Sequence, residues 1–159
     1  MARDLIIIGC GGFGREVVGI VDAVNDLNPG APEWNLIGFM DDNPSEVNRA
    51  RVARLEIPLL GAFVTDHARI PQGCQVIVGI GDARVREPYS RLVAESRATM
   101  ASLIHPTAVL GCDVEIGRGT VVAAGVQITT NIRIPTCQGF RQKYTQASDE
   151  DRRLQRRCH

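Results

Sequence analysis

The sequence predicts an α/β chain: a small parallel-sheet domain, then a short left-handed parallel β-helix, then an irregular basic tail. Three observations predict it. An aliphatic run, Leu5 to Ile8, leads into the glycine-rich turn Gly9-Cys10-Gly11-Gly12-Phe13-Gly14. From Ile104 an aliphatic residue recurs at every sixth position through Leu110, Ile116, Val122, Ile128 and Ile134. After Pro135 that period stops, which divides the chain into residues 1–100, 101–134 and 135–159.

In the first segment, Leu5 to Ile8 is bounded by Asp4 and Gly9 and reads as a central strand buried on both faces. Val17, Val18, Ile20, Val21 and Val24 recur at helical spacing, and Asn28-Pro29-Gly30 ends that helix. Asn35 to Met40 is a second strand closed by Asp41 and Asp42. Val76 to Ile80 is another, followed by Gly81-Asp82 and a helix from Ala83 to about Ala98. Strand alternating with helix makes this a Rossmann-like unit. Between these elements, Asn43 to Leu55 is polar and reads as a loop or a poor helix, Ile57 to Leu60 as a short strand, and Val64 to Ala68 as a helical turn ended by Ile70-Pro71.

In the repeat, a second inward position lies two residues before each aliphatic one: Ala108, Val114, Thr120, Val126 and Ile132 are all small or β-branched. Three hexads make one triangular coil, so the repeat supplies fewer than two coils. Solenoid units cover one another's apolar faces. The reading therefore leaves Ile128, Ile132 and Ile134 poorly covered and the chain prone to association. Residues 135–159 hold one Leu, no Val, Ile or Met, and six basic against three acidic groups, too little apolar surface to fold alone. They read either as a natural basic tail capping the solenoid or as the product of a frameshift within a coil.

Composition excludes several classes. With 44% apolar and 23% charged residues and a formal net charge of zero, the chain is an ordinary globular sequence with no sign of nucleic-acid binding. No stretch approaches the roughly 18 apolar residues of a membrane span, and the N-terminus lacks a secretory leader's apolar region. Five cysteines stand singly without a C-x-x-C pair, which argues against a metal site or a closed disulfide framework and for a reducing, cytoplasmic setting.

Gly9, Gly11 and Gly14 form G-x-G-x-x-G between a strand and a helix, a pattern that brings backbone N–H groups close to a phosphate; a purely structural tight turn is the alternative. Asp41 or Asp42 would accept hydrogen bonds from a sugar hydroxyl, against a solvated turn before Asn43-Pro44. Asp41 follows Gly14 by 27 residues, longer than the roughly 20 usual in dinucleotide sites, and no second domain remains to hold a redox substrate. An NAD(P)-dependent oxidoreductase is thereby the weaker reading.

Leu5 to Glu16, Ile37 to Asp42, Val78 to Asp82 with Arg86, and Leu103 to Gly111 leading into the hexads resemble the sialic acid and amino-sugar-nucleotide acetyltransferases of bacterial surface-glycan pathways. The resemblance implies a hexapeptide-repeat acyltransferase that packs as a trimer, with acetyl-CoA as co-substrate in the groove between β-helices and no metal. It implies an acceptor site for a nucleotide-linked sugar at Gly9, Gly11, Gly12, Phe13, Gly14, Asp41, Asp42, Gly81 and Asp82. It also implies a histidine general base on a coil after Asn131, where the only histidine is the terminal His159. His105, before Pro106, reads as a residue that satisfies turn backbone, and His67 as a surface residue; neither is assigned as the base. The catalytic residue is left unassigned, and weak or absent turnover is expected. A nucleotide-sugar-binding module without chemistry is the alternative function.

Overall fold

A computed structural model describes residues 1–96 and 98–136 and the backbone of 139–140. The first domain is a four-stranded parallel sheet. Strand β1 (Arg3–Ile8) leads into helix α1 (Gly12–Asn25), β2 (Trp34–Met40) and the short helices α2 (Glu46–Ala53) and α3 (Phe63–Asp66). Strand β3 (Gln75–Val78), helix α4 (Ala83–Glu95) and β4 (Thr99–Met100) complete it, in the order β2-β1-β3-β4.

Side chains alternate across a strand, and β1 is buried on both sides. Leu5 and Ile7 pack with Val17, Val18, Ile20 and Val21 of α1. Ile6 and Ile8 pack with Phe63 and Val93 from the helices on the other face. The α1 core also takes in Ala101, Leu103 and Val121, so the sheet domain and the repeat share one apolar interior.

The repeat folds into two-residue strands paired in parallel at an offset of 18 residues. They are β5 (Leu103–Ile104), β6 (Val109–Leu110), β7 (Glu115–Ile116), β8 (Val121–Val122), β9 (Gln127–Ile128) and β10 (Arg133–Ile134). β5 pairs with β8, β6 with β9 and β7 with β10, giving three sides of a coil. Asp113 and Asn131, also 18 apart, both take left-handed backbone at φ 56° and 60°, a conformation these short polar residues tolerate better than most.

Two expectations about the coil change. Ile128 and Ile134 are buried and Ile132 is partly buried against them, whereas Leu110 is 38% and its neighbour Val109 59% exposed. The weakly covered apolar surface thus lies on the first coil and not on the last. The pairing also passes Ile134: in β11 (Gly139–Phe140), Phe140 lies six residues further on and pairs with Val122, and Gly139 pairs with Val121. Strand pairing uses backbone groups, so it does not need the aliphatic side chains by which a repeat is recognised in sequence. The expected basic tail from residue 141 onward, with His159, lies outside the described residues.

Elsewhere the polar segment after Asn43 contains α2, capped by Ser45, whose Oγ accepts from the backbone N–H of Asn48 at 3.2 Å. Ile57 to Leu60 makes a single bridge, Leu59 to Phe39, in place of a strand. The turn at Val64 to Ala68 is helical, as α3 and a 3-10 turn over His67–Arg69.

Candidate functional site

The carboxyl ends of β1, β2 and β3 open onto a cleft of about 270 Å³. In open parallel sheets this is where ligands bind. Of the residues nominated from sequence, it is lined by Gly9, Gly11, Gly12, Phe13, Asp41, Asp42 and Gly81, joined by Asn48 and Tyr89 among others. Gly14 and Asp82 are not in its wall.

The glycines divide by role. Gly9 holds φ +93°, which L side chains rarely adopt, and turns the chain out of β1. Gly14 is buried against the strand ends: a Cβ there would lie 1.9 Å from the Gly9 carbonyl oxygen, and one on Gly79 would lie 2.7 Å from the Gly14 Cα. It lets α1 dock onto the sheet, while Gly11 and Gly12 leave open space in front of their backbone. The N-cap Gly11 offers no side chain to cap α1, no acidic residue stands in the helix's first turn, and its first intrahelical bond runs from Arg15 N–H to Gly11 C=O at 3.1 Å. The amides before that bond, with the positive end of the helix dipole, favour an anion.

Two side chains grip the turn from opposite sides. Asp41 Oδ2 accepts from the Cys10 N–H at 2.8 Å, and its Oδ1 accepts from the Asn43 N–H at 3.0 Å. Arg15 Nη1 donates to the Cys10 carbonyl at 2.7 Å and to Asn48 Oδ1 at 2.9 Å. The opposite wall is held by Arg86, 8% exposed, whose Nη1 donates to the carbonyls of Ile80 at 3.0 Å and Gly81 at 3.3 Å. Asp42 joins three elements: its Oδ2 accepts from the Tyr89 hydroxyl at 2.6 Å and its Oδ1 from the Val64 N–H at 2.8 Å. Burial, then the hydrogen bond to Asp42, pushes the Tyr89 phenol up to about 12. Burial first, then Asp41, pushes the Cys10 thiol up to about 11, so it stays protonated and unreactive at neutral pH.

Asp82 caps α4, accepting from the Arg84 N–H at 2.9 Å, and the hydrogen bonds from Arg84 hold its carboxyl below the usual range. His105 Nδ1 accepts from the Thr107 N–H at 3.1 Å and the Thr107 hydroxyl at 2.8 Å, which closes the turn entering the coil. His67 Nδ1 donates to the carbonyls of Phe63 and Val64 at 3.2 and 3.0 Å. A larger groove of about 740 Å³ between α4, β4 and the coil contains none of the nominated residues. Among the described residues no group of His, Cys, Asp and Glu is arranged to hold a metal, and no helix is long and apolar enough to cross a membrane.

Sequence reasoning missed Asn48 and Tyr89. Asn48 lies in the polar segment whose helix has only Val52 buried, and Tyr89 meets Asp42 across 47 residues of chain, a separation that no local pattern encodes.

The sequence profile of the family described as the PglD N-terminal domain matches residues 4–92. Comparison with curated proteins finds no match. Among solved structures, the fold is similar to perosamine N-acetyltransferase from Caulobacter crescentus in complex with CoA and GDP-perosamine. A histidine-to-asparagine variant of that enzyme superimposes with a TM-score of 0.70 at 26% identity, over 89% of this chain and 61% of that one. An alanine variant gives 0.68 at 27% identity, over 87% and 60%. WeeI from Acinetobacter baumannii shares the fold at a TM-score of 0.65 and 21% identity, over 87% of this chain and 60% of that one. The chain thus spans about three fifths of the length of these structures.

Proposed function

Because the chain belongs to the PglD N-terminal domain family, matched over residues 4–92, we propose that it is a sugar acetyltransferase family protein whose glycine-turn cleft holds a nucleotide-linked amino sugar or a sialic acid. The observation that carries this reading is the pairing, in one cleft, of a helix start whose N-cap is a glycine with two carboxylates at the end of β2. The first suits phosphate and the second suits hydroxyl or amine donors. The likeness to an enzyme solved with CoA and GDP-perosamine supports acetyl-CoA as the co-substrate.

The 18-residue pairing supports the finer fold proposal, a left-handed β-helix of hexapeptide repeats; a trimer is what the family resemblance alone implies. Cytoplasmic surface-glycan synthesis, where nucleotide sugars and CoA meet, is the setting proposed. The reaction would join an acceptor amine or hydroxyl to the thioester carbonyl as the C–S bond breaks, the acceptor's proton passing to a base and the thiol leaving. Neither His105 nor His67 is offered as that base, since neither lines the glycine-turn cleft. That assignment, and the lack of any histidine between Asn131 and His159, favours a second reading in which the cleft binds a nucleotide sugar without turnover.

Isothermal titration with acetyl-CoA and, separately, with a UDP- or GDP-linked amino sugar tests this, alongside an assay for released thiol. Binding of both with thiol release supports the transferase, and sugar binding alone supports the module. Binding of NAD(P) in place of either would overturn both readings.

A further inference from the structure

Asn48 lines the cleft beside the glycine turn, on a helix that sequence patterning leaves undecided. Its backbone N–H is used by Ser45, and its side chain meets Arg15, whose Nη1 lies 2.9 Å from Oδ1 and also donates to the Cys10 carbonyl. An arginine can only donate, so the amide oxygen must face it. This fixes the carboxamide: the oxygen is turned to Arg15, and the NH2 end is the part left for the cleft. The same arginine that pins the turn therefore also sets which end of Asn48 a ligand meets.

We infer that Asn48 is a further ligand-binding residue of this site, donating from Nδ2 to an anionic oxygen of a nucleoside diphosphate held at the start of α1. The inference rests on the nucleotide-sugar reading above. It divides the cleft into two chemistries. On one side, the turn amides and the Asn48 NH2 all donate. On the other, Asp41, Asp42 and the Tyr89 oxygen, whose hydroxyl hydrogen is engaged by Asp42, accept. A diphosphate with a donor-bearing group attached matches that division, and a neutral nucleoside uses only half of it.

Asn48→Asp tests the assignment, because a carboxylate keeps an acceptor for Arg15 while replacing the donor toward the cleft with a negative oxygen. Because a carboxylate in the cleft wall also repels a diphosphate through space, the uncharged Asn48→Ala is read beside it. Titrations of the unaltered chain and the variant with UDP and GDP, and with uridine and guanosine, are the readout, with melting temperature measured alongside. Losing one hydrogen bond to a charged oxygen costs on the order of tenfold in affinity, which is expected for Asn48→Ala, and Asn48→Asp should lose more through repulsion. Nucleoside binding should be the same in all three proteins. Equal diphosphate affinity in the unaltered chain and both variants would overturn the inference while leaving the nucleotide reading intact. So would an equal loss for nucleosides and diphosphates. Should Asn48→Asp fold poorly, the alanine variant decides the same question. No binding of either diphosphate by the unaltered chain would overturn the nucleotide reading and this inference with it.

Discussion

Replacing Gly14 by alanine drives a methyl group into main chain. The added Cβ would lie 1.9 Å from the Gly9 carbonyl oxygen, 3.0 Å from its carbon and 3.4 Å from the Gly79 carbonyl oxygen. No rotamer can relieve this, since both partners are main chain. Helix α1 must move off the strand ends by roughly an ångström, and inserting a methyl into such a packed site costs about 1–3 kcal/mol, sometimes more. Alanine regains up to about 1 kcal/mol in a helix relative to glycine, so a net loss of up to about 2 kcal/mol is expected, and a gap of about 1–3 kcal/mol from an alanine placed where it meets nothing. Urea denaturation followed by far-UV circular dichroism measures it. The control is Gly12→Ala, two residues earlier on the same helix, where a Cβ meets nothing within 4 Å. Its midpoint should equal or slightly exceed that of the unaltered chain. If Gly14→Ala unfolds at the same urea concentration as Gly12→Ala, the contact between helix and strand ends is not what requires glycine there.

Removing Arg86 as Arg86→Leu leaves the carbonyls of Ile80 and Gly81 without that donor and should cost about 1–3 kcal/mol in urea denaturation, whereas Arg84→Ala at an exposed pair should leave the midpoint where it is. Tyr89 should ionise only near pH 12, read as the absorbance step at 295 nm that Tyr89→Phe abolishes. Its folded value lies above the unfolded one of about 10, so its stabilisation is complete below pH 10 and is lost as the pH rises toward 12. Cys10 and Cys74, both buried and pushed up to about 11, should resist iodoacetamide at pH 8 while exposed Cys112 is alkylated, as peptide mapping by mass spectrometry would record.

What the sequence made legible is what depends on local periodicity. Leu5 to Ile8, the α1 face and the hexads each bury side chains at a fixed spacing, and the spacing survives in the one-dimensional record. The short elements do not. Thr99–Met100 is too brief to show a pattern and becomes a strand only because β3 lies beside it. Leu59 meets Phe39 singly, with Pro58, which has no N–H to donate, before it and Gly61 at φ +129° after it. Leu110 obeys the hexad rule and is still exposed, because the period fixes which way a side chain faces and not whether another layer covers it.

The glycine turn shows the same division within a single motif. G-x-G-x-x-G is one pattern in sequence, yet each of its glycines answers to a different constraint: Gly9 to its own positive φ, Gly11 to the space of the cleft, and Gly14 to the Gly9 carbonyl against which it packs. The pattern could be found because strand, turn and helix are contiguous. Its sorting into binding and packing positions could not, since the atom that forbids a side chain at Gly14 belongs to the turn's own fold, and the residues that complete the cleft come from α2 and α4. The two alanine variants of α1 therefore separate what the motif joins: Gly14→Ala acts on stability, whereas Gly12→Ala leaves the fold intact and acts only on what enters the cleft.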